Sequence, residues 1–268
     1  MKIDLHIHTS RSDGRYAPEE VIRRCASAGL ELISITDHDL GTSFSGGVHH
    51  IDGKKLHIIP GAEVSGIHDD REFHLLVYFS GPIPEAFKDF CTQQCVKRAD
   101  RYERAVKHLG LHDVPQPDQA AKNGQRAITR FHLAQAMVSA GHSQSISHAF
   151  QHHIGNSSAV VPRVAVPFTE AIAFSRQLGG ITSWAHPPKD ALEKYLGTFI
   201  KAGLQGIEIL RPRISSRERY RLKQLAKRHD LFITGGSDWH GWQDPPLGTF
   251  NIRPSDVRPF LDALQQVQ

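Results

Sequence analysis

Lys2-Ile3-Asp4-Leu5-His6-Ile7-His8-Thr9 is the stretch on which the reading of this chain turns. It reads directly as a β-strand. Residues i and i+2 of a strand point to the same face, so His6 and His8 are neighbours, ~6.6 Å apart along the chain. Two imidazoles at that spacing can converge on one ion at ~2.0–2.1 Å. A pair of hydrogen-bonded core histidines has the same spacing, so His6 and His8 alone leave both readings open.

Outward from this strand, short apolar runs recur at Leu32–Thr36, His57–Ile59, Phe73–Phe79, Ile181–Ala185, Gly206–Leu210 and Leu231–Gly235. Most are continuous, as expected of parallel strands covered on both faces. Amphipathic helical patterns lie between several of them. Pro18–Gly29 has proline at its first helical position, Glu19 and Glu20 in its first turn, and a stop at Gly29. Thr169–Leu178, Asp190–Ala202 and Ser215–His229 follow the same pattern. Alternation of strand and helix over this length predicts an α/β fold of the (β/α)-barrel kind, with seven countable strands rather than eight. Residues 85–161 depart from it, with helical patterns at Phe87–Leu109, Thr129–Ala140 and Ser145–His153. Leu111–Ala127, which contains Pro115 and Pro117, reads as loop. The block is a predicted helical insertion over one barrel loop, with 1–84 and 162–268 forming the barrel.

Composition narrows the function classes. The chain has 268 residues, 39% hydrophobic and 22% charged, which excludes a disordered or membrane-embedded protein. No apolar run nears the ~18–20 residues that span a bilayer. The first residues lack the apolar core of a secretion signal. A cytoplasmic protein without a membrane partner is expected. A net charge of +4 is too weak to argue for long duplex nucleic acid. The three cysteines, Cys25, Cys91 and Cys95, cannot build a disulfide framework and read as reduced thiols. Histidine is abundant, at 18 residues.

Many of those histidines fall beside carboxylates at strand ends. Thr36-Asp37-His38-Asp39 follows one apolar run, and Gly61-Ala62-Glu63-Val64-Ser65 follows another. His74 lies inside Phe73–Phe79, and Trp184-Ala185-His186-Pro187 follows Ile181–Ser183. Gly236-Ser237-Asp238-Trp239-His240-Gly241 follows Leu231–Thr234, and Asp238 and His240 repeat the i, i+2 spacing. Asp13 lies in the loop after the first strand. In a barrel the C-terminal strand ends form one face, so groups distant in sequence meet there. Trp239, between two of these groups, should point away and pack. His49, His50, His68, His108, His112, His142, His148, His152 and His153 read as surface or core residues.

This series, with Ser12-Asp13-Gly14, resembles the polymerase and histidinol phosphatase (PHP) family, in order and over nearly the whole chain. The resemblance implies a distorted (β/α)7 TIM-like barrel and two or three divalent metal ions (Mn, Zn or Fe). It implies a first ion held by His6, His8, Glu63 and Asp238, and a second held by His74 and His186 with Glu63 as bridge. Asp13, His38 and His240 would hold the third. Imidazole and carboxylate donors without thiolate disfavour calcium. Such a site stays net positive and suits a phosphate ester attacked by metal-bound hydroxide.

Arg126, Arg130 and His132 lie in the insertion as candidates for substrate contact, the role of Arg126 staying open. Arginine offers phosphate a bidentate fork, and Thr129 is placed to cap the helix that follows. Spacing alone favours a solvated helix face. Arg130-Phe131-His132 matches an Arg-x-His of one PHP branch, the nucleotide phosphatases and 5′-to-3′ exoribonucleases, which implies that Arg130 and His132 bind substrate phosphate. Asp13, where histidinol-phosphatase-type members usually carry histidine, points the same way. Arg211 and Arg213 could contact a second phosphate or be solvated. The expected activity is therefore metal-dependent phosphoester hydrolysis on nucleotides (AMP or 3′,5′-bisphosphate type) or short oligonucleotide ends, with no stable protein partner implied. Histidinol phosphatase and a metal-dependent amidohydrolase are the alternatives.

Overall fold

A computed structural model describes residues 1–41, 44–155 and 166–266. The architecture is mixed α/β. The chain opens with β1 (Ile3–Ile7), α1 (Pro18–Ser27) and β2 (Leu32–Ile35), followed by β3 (Gly47–Ile51), β4 (Lys54–Ile58), β5 (Gly61–His68) and β6 (Arg71–Tyr78). Four helices come next, α2 (Glu85–His108), α3 (Gln119–Lys122), α4 (Arg130–Ser139) and α5 (Ile146–Ala149), the last running into a π-helical turn at Phe150–Ile154. The remainder is β7 (Val166–Pro167), α6 (Phe168–Gln177), β8 (Ile181–Trp184), α7 (Lys189–Lys201), β9 (Gly206–Leu210), α8 (Ser216–Arg228), β10 (Phe232–Gly235) and α9 (Arg258–Gln266). Among the described residues no helix is long and apolar enough to cross a membrane.

Each predicted run overlaps a strand, Gly206–Leu210 with the same ends as β9 and the others with ends shifted, but β3, β5 and β7 lie outside the predicted runs. The strands are also not uniformly parallel. β6 runs antiparallel to both β5 and β8, and β3 runs antiparallel to β4. Two tight turns cause this. Asp52 and Gly53 both have positive φ (49° and 76°), as do Asp69 and Asp70 (45° and 56°), the backbone that joins antiparallel strands through two residues. The predicted loop Leu111–Ala127 contains the short helix α3, capped by the Asp118 side chain.

One sheet has the order β1-β2-β4-β3 and the other β10-β9-β8-β6-β5-β7. Main-chain hydrogen bonds join them at two seams. Asp238 N–H donates to the His6 carbonyl (2.9 Å) and His8 N–H to the Trp239 carbonyl (2.9 Å). Asp39 N–H donates to the Glu63 carbonyl (2.8 Å) and Glu63 N–H to the Asp37 carbonyl (3.2 Å). The first seam requires glycine at 236, because a Cβ there would lie 2.4 Å from His6 Cβ. Both seams therefore bring the ends of β1, β2 and β10 and the start of β5 together.

Phe73, Phe168, Trp184 and Phe199 pack edge to face in the main core. Tyr102, Leu133, Met137 and Ile154 belong to a separate core within the α2–α5 block. The predicted end of the insertion at 161–162 lies outside the described residues. Helix α2 is fastened to the strand ends by a buried network. Arg98 Nε donates to Asp39 Oδ2 (2.6 Å) and its Nη2 to Ser65 Oγ (2.7 Å), while Asp39 Oδ1 accepts from Ser65 N–H (2.8 Å). Arg98→Leu leaves the Asp39 carboxylate buried without its cation, and should cost ~3–5 kcal/mol in urea unfolding at unchanged slope. Lys88→Ala, which breaks an exposed pair with Glu85, should cost under ~1 kcal/mol.

Candidate metal centre

The imidazoles of His6, in β1, and His8, just past its end, are fully buried, and their Nε2 atoms stand 3.1 Å apart. His6 Nδ1 lies 2.9 Å from the Glu208 carboxylate of β9. A ring nitrogen facing a carboxylate carries the proton, so in the neutral ring the Nε2 lone pair faces inward. Asp238 Oδ1 approaches His6 Nε2 and His8 Nε2 to 3.3 and 3.2 Å. Glu63 Oε2 approaches the same two atoms to 3.4 and 3.3 Å. Donors sharing one ion at ~2.1 Å stand ~3.0–3.4 Å from each other, so these atoms are spaced as a ligand set.

Glu63 turns its two oxygens to different partners. Oε2 also lies 3.1 Å from His38 Nδ1, whereas Oε1 lies 3.1 Å from His74 Nδ1 and 3.0 Å from His186 Nε2. Asp13 forms a third grouping, with Oδ1 3.3 Å from His240 Nε2 and 3.7 Å from His8 Nδ1, and Oδ2 3.5 Å from His38 Nε2. Candidate donor atoms of His8, Asp13, His38 and His240 all lie within 4.8 Å of one another, as do those of His6, His8 and Asp238 and those of His38, Glu63 and His74. Asp13 Oδ1, His38 Nδ1, Glu63 Oε2 and His74 Nδ1 are buried without a hydrogen-bond partner. Buried acceptors aimed at one another are costly, and a divalent cation is the group that satisfies them together. The donor set fits.

Electrostatics follow the same geometry. Burial would raise the Glu63 carboxyl, but His38, His74 and His6 outweigh it and hold it well below the usual carboxylate range. His38 and His240 do the same for Asp13, and His6 and His8 for Asp238. Burial opposes the charge on His8 and His74 too, yet their carboxylate neighbours push both up to about 10.

The predicted ligand positions His6, His8, Asp13, His38, Glu63, His74, His186, Asp238 and His240 thus share one end of the strands. Glu63 is placed differently from expectation. It sits inside β5, opposite Leu76 of β6, rather than at the end of the strand that His57–Ile59 begins. His186 and Asp238 have positive φ, 30° and 54°. Such strain costs ~1–3 kcal/mol and persists only where neighbours impose it. Glu208 Oε2 accepts from His186 N–H (2.8 Å) and so holds that turn.

Glu208, Asp4 and Asp37 were outside the predicted site. Asp4 accepts from the N–H and hydroxyl of Ser237 (2.8 and 2.6 Å), which fixes the loop carrying Asp238. Burial pushes the Asp4 carboxyl up to about 7 in spite of these bonds. Asp37 accepts from Thr9 N–H, Thr9 Oγ1 and Ser12 Oγ (2.7, 2.7 and 2.6 Å), which fixes the loop carrying Asp13. A lone carboxylate in the otherwise apolar Gly206-Ile207-Glu208-Ile209-Leu210 was the available signal for Glu208.

Thr129 caps α4, and His132 Nδ1 accepts the Thr129 N–H (3.0 Å). That bond leaves the neutral ring's proton on Nε2. Arg130 lines a small cavity of about 200 Å³ with His74 and His186. Its Nη2 stands 3.8 Å from the buried Glu72 carboxylate, which also lies 3.6 Å from His74 Nε2. Arg126 pairs instead with Asp118 (2.9 Å). Arg211 and Arg213 line a cavity of about 420 Å³ beside His186 and Asp238. Trp239 is buried and donates to the Pro245 carbonyl, as its position between two site residues requires. His142, read in the sequence as a surface or core residue, meets Asp113 at 2.6 Å.

The PHP domain model matches residues 4–211. The chain is 28% identical over 248 residues to the 5′-3′ exoribonuclease Rnm of Salmonella typhimurium, covering 88% of this chain and 84% of that one. It is 25% identical over 274 residues to the 3′,5′-nucleoside bisphosphate phosphatase of Chromobacterium violaceum, covering 98% and 96%. A crystal structure from Bifidobacterium adolescentis, described as a metal-dependent phosphoesterase, superposes with a TM-score of 0.76 at 28% identity, covering 97% and 96%.

Cation uptake should expel protons. His8 and His74, raised to about 10, are protonated at pH 8 in the metal-free chain. Their contribution to its stability is complete below the ordinary imidazole pKa of ~6.5 and is lost as pH rises towards about 10. Metal affinity should run the opposite way and increase with pH. Calorimetric titration with Mn²⁺ at pH 8, in buffers of different ionisation enthalpy, should show net proton release. Identical heats would show that these imidazoles are already neutral.

Proposed function

This chain belongs to the PHP domain family, and from that premise we propose a metal-dependent phosphoesterase that hydrolyses nucleotides (AMP or 3′,5′-bisphosphate type) or short oligonucleotide ends. The observation that carries this reading is the convergence of imidazole nitrogens and carboxylate oxygens around Glu63, with Arg130 lining the same cavity as His74 and His186. The names of the exoribonuclease and the bisphosphate phosphatase support the substrate class.

We assign three divalent ions, of manganese, zinc or iron. His6, His8, Glu63 and Asp238 would hold the first, Glu63, His74 and His186 the second, and Asp13, His38 and His240 the third. When bound, such ions supply positive charge that attracts a phosphate and offsets the charge that builds during displacement at phosphorus. The protein's own part is orientation. Glu208 aligns His6 and the His186 turn, and Asp4 and Asp37 hold the loops bearing Asp238 and Asp13. Arg130, steadied by Glu72, forks the phosphate. His132 donates from Nε2. The oxygen of water joins phosphorus, the ester P–O bond breaks, and the alcohol departs.

We read the two sheets as one distorted barrel of eight strands, in the order β1, β2, β4 continued by β5, β6, β8, β9 and β10, one more than the seven counted in the sequence because β5 joins them. Support comes from the parallel bridges Ile7–Trp239 and His38–Glu63 at the seams. Residues 85–161 would then be a cap that brings Arg130 and His132 to the substrate. The three buried, unpaired cysteines suit a reducing cytoplasm.

A panel of AMP, adenosine 3′,5′-bisphosphate, 5′-phosphorylated short RNA, histidinol phosphate, p-nitrophenyl phosphate and simple amides tests the reading. Phosphate release from the nucleotide members should require added Mn²⁺ or Zn²⁺ and stop on chelation. In ¹⁸O water the label should enter the phosphate. Turnover of amides alone, or full activity after metal stripping, would contradict it. Arg130→Ala should raise KM ~10–100-fold with metal content unchanged. Glu208→Gln should weaken metal binding ~10–100-fold by calorimetry.

A further inference from the structure

Next to the Asp13–His38–His240 group opens a cavity of about 510 Å³, walled by Phe131, Gln135, Ile146, Trp242 and Gln243, with Asp13 and His240 also in its lining. That is within the ~300–1,000 Å³ of ordinary small-molecule sites. The rings of Phe131 and Trp242 lie 5.4 Å apart at 49°. The indole N–H donates to the Asp13 carbonyl (2.8 Å), which satisfies the ring's polar group and ties it to the loop carrying a proposed ligand. Arg15 lies 6.0 Å from the indole centroid. Even so held, Trp242 remains 40% exposed, whereas Trp184 and Trp239 are buried. A large ring whose polar end is bonded inward and whose surface faces a cavity is an apolar platform awaiting a flat partner.

The chain order sharpens the placement. Arg130, Phe131 and His132 are consecutive at the start of α4, and they diverge. Arg130 reaches the His74–His186 cavity, and Phe131 reaches Trp242. A phosphate held at Arg130 and the ligand groups therefore has an aromatic-walled cavity as its neighbour.

We propose that this cavity is a nucleobase subsite, in which the base of a nucleotide stacks on Trp242 and Phe131 while its phosphate lies at the ligand groups. The assignment rests on the phosphoesterase reading and adds where the rest of the substrate goes. Stacking on aromatic side chains contributes ~1–3 kcal/mol per base and tolerates any base, since every base has a π face. The amides of Gln135 and Gln243 offer donors and acceptors to the base edge. The enzyme is thus built to prefer nucleoside phosphates over sugar phosphates with little preference among bases.

The test compares kcat/KM for AMP with that for ribose 5-phosphate in the full-length metal-loaded protein, in Trp242→Leu and in Trp242→Phe. Trp242→Leu should lower the AMP to ribose 5-phosphate ratio about tenfold or more, and Trp242→Phe should restore most of it. AMP, but not ribose 5-phosphate, should also quench the tryptophan emission of the unsubstituted protein. An unchanged ratio in Trp242→Leu, or a ratio that falls instead in Arg211→Ala or Arg213→Ala, would overturn the subsite. If no phosphate ester is turned over at all, the phosphoesterase reading fails. The quenching then decides the subsite independently, and its absence with AMP overturns it.

Discussion

Everything in this structure answers to one electrostatic constraint, the crowding of acceptor atoms around the Glu63 carboxylate. His6, His8, His38, His74 and His186 all present ring nitrogens to its two oxygens within 3.4 Å. The carboxylates of Asp13 and Asp238 stand beside them. In a dry interior so many like-natured atoms repel unless positive charge is placed among them. The donor set therefore suits divalent cations, and its rigidity must be supplied from outside.

That rigidity comes from three carboxylates whose work is purely positional. Glu208 bonds at once to His6 and to the backbone of His186, and Asp4 and Asp37 each clamp a loop through hydroxyl and amide donors. The left-handed backbone at Asp39, His186 and Asp238 shows where the chain is bent to aim side chains. Gly236 lets β10 approach β1 closely enough for the Asp238–His6 seam to form. Arg98 extends the same bracing to helix α2, so the block bearing Arg130 and Phe131 is tied to the strand ends.

Much of this was legible because strand geometry converts short motifs into shared faces. His6 and His8 at i, i+2 needed only an extended backbone to become neighbours. His38, His186 and Asp238 needed only the ends of strands to be gathered at one side. What was not legible depended on contacts between distant segments. β5 was obscured because glycines 61 and 66 and the polar residues Glu63 and Ser65 break its apolar run, although the close packing of Phe168 demands glycine at 66. The β3–β4 hairpin was announced by Asp52-Gly53, a turn signal that a search for apolar runs passes over. Glu208 stood out as a charge in an apolar strand, yet its bond to His6 spans 202 positions and cannot be seen in either segment alone. The cavity beside Trp242 likewise exists only where the loop after β10 meets α4.

The most direct test of the central claim is anomalous diffraction from crystals grown with manganese. Strong peaks should stand between Glu63 and its imidazole partners and between Asp13, His38 and His240, each ~2.1 Å from the donor atoms. A cavity without peaks at saturating metal, or peaks only at surface histidines such as His142, would contradict it.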